Sequence, residues 1–141
     1  MENNVRMKNN QKILITGGAG FIGHHIINKL LEETKYEIIS LDRLDYSGSY
    51  NRIEEIICNN KEWKKRISIV WHDLKAPLNP LIKKQVGNPE IILHVAAASH
   101  VDRSIEDPMS FVLDNIVGTT NLLEFAKINK NLKKFLYFST D

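Results

Sequence analysis

A single cysteine, Cys58, is all the thiol chemistry available to this 141-residue chain. No disulfide can form within it, and nothing argues for an oxidising compartment. Set at helical spacing in "RIEEIICNN", Cys58 reads as a small buried hydrophobe. Long apolar runs are missing as well. The longest, "IILHVAAA" at 91–98, has eight residues and contains a histidine, far short of a membrane span. The opening "MENNVRMKNNQ" lacks the apolar segment of a signal peptide. Net charge is nearly absent too. The 19 basic residues stand against 17 acidic ones, which gives no reason to expect nucleic acid or an anionic membrane as a partner. The basic "KEWKKR" (61–66) is short and carries a glutamate, as a solvated turn or helix end does. Internal repeats, low-complexity segments and linkers are absent. These absences leave a soluble, cytoplasmic chain with one hydrophobic core as the expectation.

What is present alternates. Strand-like runs at 12–17, 36–42, 67–73, 90–98 and 134–140 are separated by helical spacing at 21–34, 52–57, around "PLIKKQV" and at 107–129. Asp107 and Pro108 supply the cap and first position of the last and longest helix, which follows a polar loop. Five strands alternating with four helices predict an α/β fold, a doubly wound parallel sheet of Rossmann type. Residues 1–11 form a polar extension and 12–141 the domain, truncated after its fifth strand. The chain therefore stops at a strand's carboxyl end, the edge where such sheets bind ligands.

Between the first strand and the first helix, Gly17, Gly20 and Gly23 make a G-x-x-G-x-x-G spacing. There a pyrophosphate can meet free backbone N–H groups and the positive end of the helix dipole. Gly17 permits a tight turn, Gly20 a close approach of phosphate, and Gly23 close packing of helix on sheet. Asp42 ends the second strand, 19 positions after Gly23. Its carboxylate suits the ribose hydroxyls of an adenosine and repels a 2′-phosphate, which favours NAD, while the adjacent Arg43 keeps NADP in play. Asp42 as a mere loop cap is the structural alternative. Asp73, ending the third strand, is placed for an adenine edge or for an ordinary turn. Ala96 and Ala97, at the end of the fourth strand, are small enough for a cofactor to lie across them. The cofactor-binding set is then Gly17, Gly20, Phe21, Ile22, Gly23, Asp42, Asp73, Leu74, Ala96 and Ala97.

Together, "TGGAGFIGHH", "LDRLDYSG", "HDL", "HVAAASHVDRSIEDP", "NIVGTTNLLE" and "FSTD" resemble the extended short-chain dehydrogenase/reductase family. Within it the nucleotide-sugar 4,6-dehydratases, of the dTDP-glucose type above all, are most similar. The resemblance runs from Lys12 to Asp141, and "SHVDRSIEDP" and "STD" are more specific than the glycines. It implies bound NAD that oxidises the sugar at C4, elimination of water across C5–C6, and hydride return to C6. It also implies that Thr140 hydrogen-bonds the sugar near C4 and that Asp141 is the general acid. The family's proton-abstracting Glu would be the next residue. The family's Tyr-x-x-x-Lys pair has no match: four residues after Tyr137 stands Asp141, and Tyr36, Tyr46 and Tyr50 belong to the adenosine side. The expectation is an amino-terminal half of a longer enzyme, or a truncated relative, that does not turn over alone. A 4-epimerase and a non-catalytic NAD-binding module are the alternatives.

By the same resemblance Ser99 is a sugar contact and His100 lies near the substrate or the subunit interface, a loop histidine with no wider role being the alternative. Relatives carry Glu or Gln where this chain has Ala98, and commonly Thr where it has Asp45. No histidine pair has i, i+4 spacing, so no metal is expected; His24 and His25 should point apart on their helix. Asp102 and Arg103 are placed to pair with each other or across a dimer. Asn115 should tie backbone groups together. The 107–129 helix is apolar on more than one side, which predicts a second buried face: the resemblance implies a homodimer joined through it, and cover by missing C-terminal structure is the alternative.

Overall fold

Five short aliphatic runs become five parallel strands in a computed structural model that describes residues 11–58 and 60–139. They are β1 (Lys12–Thr16), β2 (Glu37–Asp42), β3 (Ile67–Trp71), β4 (Ile91–His94) and β5 (Lys134–Tyr137). The sheet order is β3-β2-β1-β4-β5, so the order reverses beside β1. β2 ends at Asp42 as predicted, whereas β1, β3 and β4 stop short of their predicted carboxyl ends, and Gly17, His72, Asp73 and residues 95–98 turn into the loops that build the site.

Alternation along β1 sends Leu14 to one face and Ile13 and Ile15 to the other. On the Leu14 face, Ile82 and Val86 of α4 (Pro80–Val86) pack with Leu122, Phe125 and Ala126 of α7 (Gly118–Ile128). On the opposite face, Ile27 and Leu31 of α1 (Gly23–Glu33) pack with Ile53 and Ile57 of α2 (Tyr50–Ile57). Two cores flanking one parallel sheet are the doubly wound arrangement predicted by the alternating pattern.

Several local readings change. "KEWKKR" is a helix in its own right, α3 (Lys61–Arg66), capped by the side-chain Oδ1 of Asn60 accepting from Glu62 N and Trp63 N. Its Arg66 donates to the carbonyls of Leu31, Thr34 and Tyr36, closing the end of α1. Cys58 is exposed, because Ile53 and Ile57 take the buried stripe of α2 and the next residue turns to solvent. The polar loop before Asp107 contains α5 (Val101–Glu106), whose only apolar pair, Val101 and Ile105, faces water.

The predicted 107–129 helix is three pieces. Asp107 caps α6 (Pro108–Phe111) by accepting from Ser110 N at 3.1 Å. A π-helical turn, Val112–Val117, follows, and then α7. In a π turn consecutive side chains diverge less than in an α-helix, so Asp114 and Asn115 both face the sheet's carboxyl edge. Among the described residues no helix is long and apolar enough to cross a membrane.

Candidate functional site

The glycine loop sits where the strand order reverses, beyond the carboxyl ends of β1 and β4. Gly17 has a φ of +70°, and a Cβ there would lie 2.8 Å from Ala96 Cα. Gly23 faces a tighter limit: its Cβ would press on the Gly17 carbonyl oxygen and lie 2.7 Å from Gly18 Cα. Packing within the protein therefore explains both. Gly20 is different, since its Cβ would meet only the Gly17 oxygen, at 3.1 Å, and otherwise enter open space. That open space is a cavity of about 560 Å³, lined by the loop, Asp42 and the β4 end. Among the described residues no acceptor meets the N–H groups of Phe21 and Ile22. Unpaired donors at the start of α1, beside a glycine whose only close protein neighbour is one carbonyl oxygen, suit a phosphate-bearing ligand.

Asp42 forms one wall of the cavity. It is 8% exposed, its Oδ2 accepts from Ala19 N at 3.1 Å and its Oδ1 from Leu44 N at 2.8 Å. Asp42 therefore caps the loop and also lines the cavity. Ala19 is gripped on its other side by Arg52, whose Nη1 donates to Ala19 O and Ser47 O. Asp73 makes the predicted turn by accepting from Lys75 N, and also lines the cavity.

Arg43 is not a spare cation. Its Nη1 and Nη2 donate to the two carboxylate oxygens of Asp114, at 2.7 and 3.1 Å, and its Nε pairs with Asp45. Burial alone would lower the guanidinium's pKa, but the bonds and charges of Asp114 and Asp45 reverse that and raise it. Burial likewise opposes the charge on Asp45, and bonds from Ser47 and Arg43 lower its pKa below the ordinary value.

At the β4 side, Asn115 clasps the backbone of Ala98, accepting from its N–H at 2.8 Å and donating to its carbonyl at 2.9 Å. This holds the 96–100 segment at the cavity wall. Below it lies His94, 1% exposed, with Nδ1 2.7 Å from Thr16 Oγ1 and Nε2 2.8 Å from Thr119 Oγ1. Burial pushes its pKa from 6.5 down to about 4. The folded ring thus binds fewer protons than the unfolded one between those values, so stability falls as pH drops through that window. From pH 7 to pH 5 the loss is expected to be about 2 kcal/mol. Urea midpoints for the wild type and His94→Gln check this: the variant should lose most of the slope, and equal slopes would contradict it.

Every predicted cofactor residue lines this one cavity, as do Ser99 and His100. Thr140 and Asp141, and residues 1–10, lie outside the described residues. Tyr46 is at the cavity, but Tyr36 precedes β2 and packs in the core at the sheet's opposite end. His24 and His25 do not point apart. Their ring centroids are 3.9 Å apart, because His24 Nδ1 turns back to the Gly20 carbonyl. Arg103 lies 4.4 Å over the Tyr46 ring instead of pairing with Asp102. Lys75, Arg52 and Asp114 were not legible as cavity residues. For Asp114 the only signal was an acidic residue following the apolar run Phe111–Leu113.

Residues 14–141 match the family model described as GDP-mannose 4,6 dehydratase. The chain belongs to the NAD-dependent epimerase/dehydratase family. This family member is 42% identical over 134 residues to the dTDP-D-glucose 4,6-dehydratase of Dictyostelium discoideum, covering 93% of this chain and 29% of that one. It is 39% identical over 138 residues to an Escherichia coli dTDP-glucose 4,6-dehydratase, covering 92% and 37%. Among solved structures, a double mutant of the Streptomyces venezuelae dTDP-glucose 4,6-dehydratase DesIV, with NAD and a nucleotide-sugar ligand bound, aligns with a TM-score of 0.77. Its identity is 32%, over 91% of this chain and 39% of that one. The UDP-Glc/GlcNAc 4-epimerase of Campylobacter jejuni gives the same TM-score, 0.77, and 32% identity, over 91% and 36%. The chain thus spans about a third of the length of these relatives and corresponds to their N-terminal part.

Proposed function

We propose that residues 12–141 are the NAD-binding part of a nucleotide-sugar 4,6-dehydratase of the dTDP-glucose type. The observation that carries this is the cavity lined by both the glycine loop and Asp42, where a side chain at Gly20 would meet one carbonyl oxygen of the protein and otherwise open space. When bound, NAD supplies the hydride acceptor and donor for oxidation at C4 and reduction at C6. In this reading Gly17, Gly20 and Gly23, with the N–H groups of Phe21 and Ile22, hold the pyrophosphate. Asp42 takes the adenosine ribose hydroxyls, and Asp73 with Leu74 takes the adenine. Ala96 and Ala97 leave the cofactor room to cross β4, and Ser99 and His100 face the sugar. Thr140 orients the sugar near C4, and Asp141 protonates the leaving hydroxyl. The exposed Met109, Val112, Ile116 and Leu123 support a homodimer through the helix that follows Asp107.

A 4-epimerase is the second reading, favoured by the equal likeness to the Campylobacter enzyme. Asp141 after Thr140 leans toward dehydration. A non-catalytic NAD-binding module is the third, since no Tyr-x-x-x-Lys pair stands in these 141 residues. One experiment separates them. The codons beyond Asp141 are read, and the whole reading frame is expressed and incubated with dTDP-glucose and UDP-glucose. A Glu codon next, a Tyr-x-x-x-Lys segment downstream and a 4-keto-6-deoxy product absorbing in alkali are expected. Epimerised UDP-sugar with no keto product would overturn the dehydratase reading. A stop codon with NAD binding intact would leave the module.

A further inference from the structure

An arginine directly after the acidic residue at the end of β2 is where a dinucleotide site finds its partner for a 2′-phosphate. Arg43 holds that position, yet its guanidinium is engaged on all three nitrogens by Asp114 and Asp45. Resting on the dinucleotide reading above, we propose that Asp114 and Asp45 are specificity-determining residues: they lock Arg43 and so exclude NADP.

The lock is built from parts far apart in the chain. Asp114 arrives from the π turn, 71 residues away in sequence from Arg43, and its side chain is 10% exposed. Asp45 is folded back onto Arg43 because Leu44 between them takes a φ of +53°, a conformation that a non-glycine residue rarely adopts. Leu44 is held there by its N–H bond to Asp42 and by packing of its side chain in the α1–α2 core. The rare conformation of Leu44 thus sits between two residues, Arg43 and Asp45, that line the cavity. Trp71 Nε1 fixes the Arg43 carbonyl from the β3 side, at 2.8 Å.

The charges around the pair are unfavourable to a further anion. Arg43 and Lys75 face Asp45, Asp73 and Asp114, with Lys75 Nζ 3.3 Å from Asp73 and 3.9 Å from Asp114. Asp42 adds another carboxylate on the same wall. Arg52 is held at the glycine loop through the Ala19 and Ser47 carbonyls, and Arg103 lies over Tyr46. To meet a 2′-phosphate, Arg43 would have to leave Asp114, stranding a carboxylate with little access to water. A ribose 2′-hydroxyl makes no such demand, because Asp42 accepts from it directly.

The test is calorimetric titration of the chain with NAD and with NADP. Wild type should bind NADP at least about 100-fold more weakly than NAD, and Asp45→Asn with Asp114→Asn should narrow that ratio about tenfold or more. Adding Arg43→Gln to the double variant should remove the gain, because the freed guanidinium is its source. Melting curves report whether each variant folds. Should the double variant melt below the assay temperature, Asp45→Asn alone, at the more exposed carboxylate, should give about a threefold narrowing. A ratio unmoved by these substitutions, or a gain that survives Arg43→Gln, would overturn the inference while NAD binding stands. Wild type that binds both nucleotides equally would do the same. A chain that binds neither would overturn the dinucleotide reading and the inference with it.

Discussion

Gly23→Ala should cost about 3 kcal/mol of stability, on the order of 10 °C in Tm, whereas Gly20→Ala should leave Tm within about 2 °C. The two glycines are three residues apart, yet their surroundings differ. A methyl at Gly23 is driven into backbone, the Gly17 carbonyl and Gly18 Cα, and backbone in a loop wedged between β1 and α1 cannot step aside. Relief would require α1 to lift from the sheet, uncovering Ile27 and Leu31, which are both essentially fully buried. At Gly20 the Gly17 oxygen need give way by only a few tenths of an ångström. The methyl then stands in the cavity, and its cost should appear in NAD binding, weakened about tenfold or more. Thermal melts and NAD titrations of both variants check the split. A Gly20→Ala protein with full NAD affinity would remove the phosphate role from the loop.

Asp42→Ala should lose both stability and cofactor. Two backbone donors, Ala19 N and Leu44 N, would be left without their acceptor at a site only 8% exposed. Each such loss costs about 1–3 kcal/mol, so a total of about 2–6 kcal/mol is expected. Losing a charged acceptor to the ribose should weaken NAD about 100-fold. Asp42→Asn is the control, because its carbonyl oxygen can recover one of the two backbone bonds while its NH₂ opposes the other. A variant that melts early yet binds NAD within about threefold of wild type would make Asp42 a loop cap alone.

What the sequence made legible was whatever depends on local pattern. Gly17, Gly23 and Asp42 were readable because a strand, a tight turn and a helix leave few ways to connect, and the acidic residue closes the neighbouring strand. The Asp107 cap and the Asn115 clasp follow from residue types that satisfy backbone groups where a helix begins or a loop passes. What escaped depends on contacts made at a distance. The π turn came without a glycine or proline to mark it, and it sets Asp114 against Arg43 from another part of the chain. The α5 helix was hidden because "SHVDRSIEDP" is mostly polar and its two apolar residues stay exposed. Cys58 and the His24–His25 pair were misread for a shared reason. Helical spacing fixes where a Cα lies, while one stripe's burial and one hydrogen bond to Gly20 decided where those side chains went.

The most direct measurement is an NAD titration of the 141-residue chain by calorimetry, run beside Gly20→Ala and Asp42→Ala. Saturable binding of one NAD per chain, weakened by each substitution, is the predicted result. No saturable heat in wild type, or binding indifferent to both substitutions, would contradict a dinucleotide site between the glycine loop and Asp42.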